Sequence, residues 1–260
     1  MTVLAAGLTG LVVILAMLTV VWAISVRLRD ASIVDICWGP GFALLAWFYC
    51  SRFEASGWRP LLAAVLVTVW GARLAIHIFR RHRGEDPRYQ SMRAAHGNSF
   101  WWRSLFLVFW LQAVILWFVG LPLLVAAGVP GPPGAAWTDV AGVLLFVVGL
   151  AFEAIGDAQL RRFRSDPANL GRVLDTGLWR FTRHPNYFGD AVLWWGLFLL
   201  AASTPAGRLT AASPLLMTLL LLRVSGVTLL ERNLAASKPG YADYVKRTSA
   251  FVPWFPRRRK

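Results

Sequence analysis

The chain has 260 residues, 57% of them hydrophobic and only 15% charged, and its 27 Lys and Arg against 13 Asp and Glu leave a formal charge of +14. That apolar fraction excludes a disordered chain and a soluble dinucleotide-binding α/β enzyme. The two cysteines, Cys37 and Cys50, lie inside apolar stretches, so a disulfide scaffold and a zinc framework are excluded as well.

A helix needs about 20 apolar residues to cross the hydrocarbon core of a bilayer. Seven stretches meet or approach that length, at 2–26, 31–50, 60–79, 104–127, 137–156, 188–204 and 211–230. They predict an all-α, polytopic integral membrane protein with about seven transmembrane helices and a single membrane domain over 1–260. The first stretch lacks a basic leader and a small-residue cleavage site, so it reads as a retained helix and not as a signal peptide. Pro130 to Gly134 marks a turn between the fourth and fifth stretches. Gly142, Gly149 and Gly156 recur every seven residues along the fifth, which suits close helix packing.

Basic residues fall on alternate links. Arg27 and Arg29 follow the first stretch, Arg80 to Arg103 the third, Arg161 to Arg183 the fifth, and Lys246, Arg247 and Arg257 to Lys260 lie in the tail. The opposite links hold only Arg52, Arg59 and Arg208. This asymmetry predicts an external N-terminus and a cytoplasmic C-terminus. The arginines hug helix ends and form no separate basic domain, which favours membrane lipids over nucleic acid as their partner.

Ionisable side chains at membrane depth are functional candidates. Asp35 lies in the second stretch, Arg73 and His77 in the third, Gln112 in the fourth, Glu153 and Asp157 in the fifth, Asp190 in the sixth, and Arg223 and Glu231 in the seventh. Asp35 reads equally well as a proton donor or as an ion-pair partner of Arg73. Glu153, Asp157, Arg161 and Arg164 make one helical stripe, two carboxylates followed by two guanidiniums, if the fifth helix continues beyond the membrane. That stripe suits a ligand with a hydroxyl-rich end and a phosphate end; intrahelical pairing of Asp157 with Arg161 is the structural alternative. Asn186 and Asp190, one turn apart, offer amide and hydroxyl recognition, and Arg183 and His184 offer phosphate donors. The four histidines show no metal-binding spacing, so no metal is expected. Trp38, Trp47, Trp70, Trp110 and Trp117 suit either a flat or long lipid or simple interfacial packing.

The run from Gly177 to Asp190 (GLWRFTRHPNYFGD) resembles the steroid 5-alpha-reductase superfamily, in particular its bacterial membrane branch. Asp35 to Phe42, Gly84 to Tyr89 (GEDPRY) and Arg223 to Pro256 agree with it. The resemblance implies an enzyme of the cytoplasmic membrane that uses NADPH, bound from the cytosolic side, to reduce a carbon–carbon double bond of an enone in a lipid or sterol-like substrate. It places a lipid chamber among the helices of 1–130 and a nucleotide pocket within 137–256. Carried over residue by residue, the nucleotide site falls on Arg73, Glu153, Asp157, Arg164, Arg172, Asn186, Asp190 and Arg223. The superfamily's tyrosine three positions before Arg73 is Trp70 here, which leaves Asp35 as the candidate catalytic acid. A Gln-Glu pair of the second helix is absent, and a histidine and a tyrosine of the seventh are replaced by Val227 and Glu231. An S-adenosylmethionine-dependent methyltransferase acting on a lipid or prenylcysteine shares the Arg-His-Pro-x-Tyr-x-Gly pattern and is the alternative, followed by a non-catalytic lipid-binding relative.

Overall fold

The structure is a computed structural model that describes residues 1–53, 57–224 and 240–257; every regular element among them is a helix. Five helices are long and apolar enough to cross a membrane: Val3–Leu28, Trp58–Arg81, Pro87–Val119, Trp137–Ser165 and Pro205–Arg223. The second and sixth expected crossings are helical but shorter. Stretch 31–50 forms Ile33–Ile36 and Trp38–Arg52, and stretch 188–204 lies in the 17-residue Pro185–Ala201, about 25 Å long at the α-helical rise of about 1.5 Å per residue. The seventh is described as far as Val224; Val227, Leu230, Glu231 and Arg258 to Lys260 lie outside the described residues.

The chain divides into two compact units. The first comprises Met1–Ala135 and Leu200–Ser213. Its α1 (Val3–Leu28) starts at Thr2, whose hydroxyl accepts from the Ala5 amide, and ends at Arg29, held at φ +54° with its amide on the Ser25 and Val26 carbonyls. A short α2 (Ile33–Ile36) leads into α3 (Trp38–Arg52), which packs on α4 (Trp58–Arg81). Gly39 and Gly71 face each other backbone to backbone at this crossing, where a β-carbon on either would collide with the other's main chain. Phe42, Leu45, Tyr49, Val67 and Trp70 fill the core around it. By contrast, Leu4, Leu8, Val12, Val20 and Ile24 of α1 and Leu61, Val65, Val69 and Ile76 of α4 are exposed. Faces that apolar suit a hydrocarbon surround and not water.

Helix α5 (Pro87–His96) begins where Asp86 accepts from the Arg88 amide, with Pro87 fixing the first turn, and ends at Gly97, φ +52°. The chain continues through α6 (Phe100–Ser104), a π-helical segment Leu105–Trp110, α7 (Leu111–Val119) and α8 (Leu121–Gly128). Of the tryptophans that suit either a lipid or interfacial packing, most are engaged within this unit. Trp110 donates to the Thr19 hydroxyl, Trp117 to the Gly7 carbonyl and Trp47 to the Thr68 hydroxyl, and Trp70 is buried against Phe42. Helix α11 (Pro205–Arg208) completes this unit.

The second unit comprises Ala136–Leu199 and Pro214–Lys260. Helix α9 (Trp137–Ser165) runs unbroken past the predicted end of its crossing, so the stripe from Glu153 to Arg164 is one helical face. It crosses α10 (Pro185–Ala201) on the heptad glycines. A β-carbon at Gly149 would strike the backbone of Gly189 and Leu193, one at Gly196 the backbone of Gly142 and Phe146, and Gly156 sits on Pro185 and Asn186. Close backbone approach is what glycine permits at a helix crossing. Helix α12 (Ala212–Leu219) runs into a second π-helical segment, Leu220–Val224, and α13 (Tyr241–Arg247) precedes the tail.

Candidate functional site

In the first unit, the GEDPRY segment and the Asp30 to Asp35 turn are laced together by polar side chains. Asp30 accepts from Ser32 and contacts His82 at 2.8 Å. The Glu85 carboxylate accepts from the Ala31 amide at 2.8 Å and from the Arg93 guanidinium at 2.7 and 2.9 Å. The Asp86 amide donates to the Ser32 hydroxyl. Burial disfavours the Asp86 carboxylate, yet hydrogen bonds from the Arg88 guanidinium and amide outweigh it and hold its pKa below the ordinary value.

On that scaffold lies a connected row of donors and acceptors. Arg88 bridges Asp86 and Asp35, its Nε 2.9 Å from Asp86 Oδ1 and its Nη2 2.9 Å from Asp35 Oδ2. The Tyr89 hydroxyl donates to Asp35 Oδ1 at 2.8 Å and accepts from Gln112 Nε2 at 3.1 Å, and Trp38 Nε1 donates to Gln112 Oε1. Tyr89 is buried. Asp35 therefore takes Arg88, and not Arg73, as its ion-pair partner. The sequence singles out Asp35, as an acid or an ion-pair partner, and not the Tyr89 phenol that the fold sets beside it. The signal was present in GEDPRY and in Gln112, but only the fold brings α2, α5 and α7 to one point.

In the second unit, Glu153 and Asp157 of α9 are buried, and Asn186 Nδ2 donates to Asp157 Oδ1 at 3.1 Å. Asp157 thus has an interhelical partner on α10, where the alternative foresaw Arg161 of its own helix. Asp190 lies one turn after Asn186 and is half-buried. Gln159 accepts from the Leu178 amide at 3.0 Å and Trp179 donates to the Gly156 carbonyl at 3.0 Å, which fixes the turn leading to α10 against α9. Arg164, near the end of α9, and Arg172, in the following loop, are exposed, as is Arg223 in the second π-helical segment. Arg73 is half-buried on α4 of the first unit. The fold joins Asp157 to Asn186 directly and sets Glu153 one turn away; the arginines flank these acceptors along the chain.

Residues 21–248 match the family described as protein of unknown function, DUF1295. The chain belongs to the DUF1295 family. This DUF1295 protein is also similar to an uncharacterized protein of Schizosaccharomyces pombe, 26% identical over 273 residues that cover 94% of the chain and 78% of the yeast protein. No solved structure matches it. The family match takes in both polar clusters, Asp35 to Gln112 and Glu153 to Asp190. Among the described residues no group of His, Cys, Asp and Glu is arranged to hold a metal ion in this DUF1295 protein.

Proposed function

We propose that this protein is a membrane oxidoreductase that uses NADPH to reduce a carbon–carbon double bond conjugated to a carbonyl in a lipid or sterol-like substrate. In this reading the chain crosses the cytoplasmic membrane of a bacterium seven times, with the N-terminus outside and the nucleotide-binding residues toward the cytosol. The observation that carries it is the Tyr89 hydroxyl held between Asp35 and Gln112. Reduction of an enone needs a proton at the end opposite the hydride, and a positioned phenol is a suitable acid. Trp70 cannot serve, because an indole N–H is not an acid at ordinary pH.

The second unit supplies residues of the right chemistry for a nicotinamide dinucleotide. Buried carboxylates Glu153 and Asp157, with Asn186 and Asp190, accept from ribose hydroxyls or bond a carboxamide, and exposed Arg164, Arg172 and Arg223 donate to phosphates. When bound, the nucleotide supplies the hydride. In this scheme Tyr89 turns its one O–H from Asp35 to the substrate, Gln112 stabilises the phenolate through its N–H, and Arg88, with its guanidinium 5.4 Å from the Tyr89 ring centroid, adds positive charge beside it. Asp35 orients the phenol, which moves it from acid to positioning residue in this scheme.

The test is thermal melting of the purified protein in neutral detergent with NADPH, NADH or S-adenosylmethionine. A ligand at 100 times its Kd adds about 2.7 kcal/mol to native stability. Stabilisation by NADPH that is lost in Asn186→Ala and Arg164→Ala supports the reading. A response to S-adenosylmethionine alone replaces it with methyl transfer, and silence with all three favours a lipid-binding protein without catalysis.

A further inference from the structure

The last described residues build a second polar feature within the second unit. After α13 the chain turns back on the segment that precedes α10: Thr182 pairs with Ser249, the Arg183 amide donates to the Ser249 carbonyl, Thr182 Oγ1 to the Phe251 carbonyl, and the Trp254 amide to the Phe181 carbonyl. The Arg257 amide then closes on the Arg247 carbonyl at 2.9 Å. These bonds border an open cavity of about 500 Å³ whose charged lining side chains are Arg183, Lys246, Arg247 and Arg257; among the described residues no carboxylate lines it. Arg183 is buried and donates to the Val245 and Thr248 carbonyls at the end of α13, so its charge is fixed in the wall. Asp175 lies 3.6 Å from Arg247 and Asp243 3.4 Å from Lys246, and neither carboxylate belongs to the cavity lining.

The same cavity is bordered by Trp254 and Phe255, which are 71% and 77% exposed, with Val252 also exposed nearby. A site for a free anion needs no such rings, whereas a phospholipid has a charged head and an acyl body to place at once. Tryptophan and phenylalanine beside a cluster of basic residues at the end of membrane helices match the headgroup level of a bilayer. We infer that this cavity binds the phosphate-bearing headgroup of an anionic phospholipid, with Trp254 and Phe255 against the upper acyl chain. Apart from Arg183, offered above as a phosphate donor, the site uses none of the residues assigned to nucleotide or proton transfer, and its test is read on other residues.

The experiment measures retention of lipid by the purified full-length protein in neutral detergent, by native mass spectrometry and by melting temperature. The probes are phosphatidylglycerol, phosphatidylcholine and the soluble headgroup glycerol phosphate. Phosphatidylglycerol is expected to bind and raise the melting temperature, while the zwitterionic lipid and the free headgroup at equal concentration do neither. Removing each basic side chain near a membrane surface weakens binding about fivefold, which is about 1 kcal/mol. Lys246→Gln and Arg257→Gln together are therefore expected to lower affinity about 25-fold and leave the NADPH response unchanged. Trp254→Ala should weaken the lipid without affecting any response to glycerol phosphate. Lys246 is well exposed, so Lys246→Gln alone keeps the test valid if the double variant fails to fold. Equal binding of phosphatidylcholine, equal binding of glycerol phosphate, or unchanged affinity in the Lys246 variant each overturns the inference.

Discussion

The Tyr89 hydroxyl rests 2.8 Å from Asp35 Oδ1, although 54 positions separate the two residues in the chain. Their meeting depends on the turn at Asp30 and on the capped start of α5, which the Glu85, Asp86 and Ser32 bonds hold together.

Tyr89→Phe removes one oxygen and keeps the ring. Turnover of an enone lipid is expected to fall by about 10²- to 10⁴-fold, the range for loss of a general acid, with the NADPH melting shift retained. Steady-state kinetics beside the melting assay decides it; an unchanged kcat eliminates Tyr89 as the acid.

Asp157→Ala takes away the acceptor for Asn186 and leaves a half-buried amide without this bond, at a cost of about 0.5–1.5 kcal/mol. The melting temperature should drop, and the NADPH response should vanish even where the protein is still folded. Double substitution with Asn186→Ala should cost less than the sum of the two, since they share one interaction.

Gly149→Ala places a methyl group against the backbone of Gly189 and Leu193, where neither partner can yield as a side chain would. Overpacking of this kind costs about 1–3 kcal/mol. Gly134→Ala, with open space around it, is the control and should melt within about 0.5 kcal/mol of the parent.

The acid limb of stability should report on Asp86. Its folded pKa is depressed, so its contribution is present above the unfolded value of about 3.9 and is lost as pH falls through the folded one. Melting curves collected downward from pH 6 should show the parent losing more stability below about pH 4 than Asp86→Asn does. Parallel curves would remove Asp86 from the account.

Much of this was legible in the chain. Apolar stretches located the helices because lipid-facing and core-facing positions are both apolar, and the heptad glycines of α9 announced a backbone crossing that α10 supplies. The stripe on α9 followed from helical periodicity alone. What was not legible depended on contacts between distant segments: that Asp35 takes Arg88 as partner, that Gln112 reaches Tyr89, and that the indoles of Trp110 and Trp117 are committed to α1. At 31–50 the helical stretch divides at Cys37, between α2 and α3, which the length of the apolar run does not show.

Gln112 is the second residue beyond the π-helical segment Leu105–Trp110. Each wide turn closes on the fifth residue back instead of the fourth and so holds one residue more than the α-helix around it. Such a turn absorbs a surplus residue without changing the phase of the helix on either side. The chain between Ser104 and Leu111 should thus tolerate a one-residue deletion that tightens the turn and leaves Gln112 facing Tyr89. The same deletion within α7 would turn everything beyond it by about 100°. Length, and not only side-chain identity, is therefore a variable to which this part of the protein is unevenly sensitive.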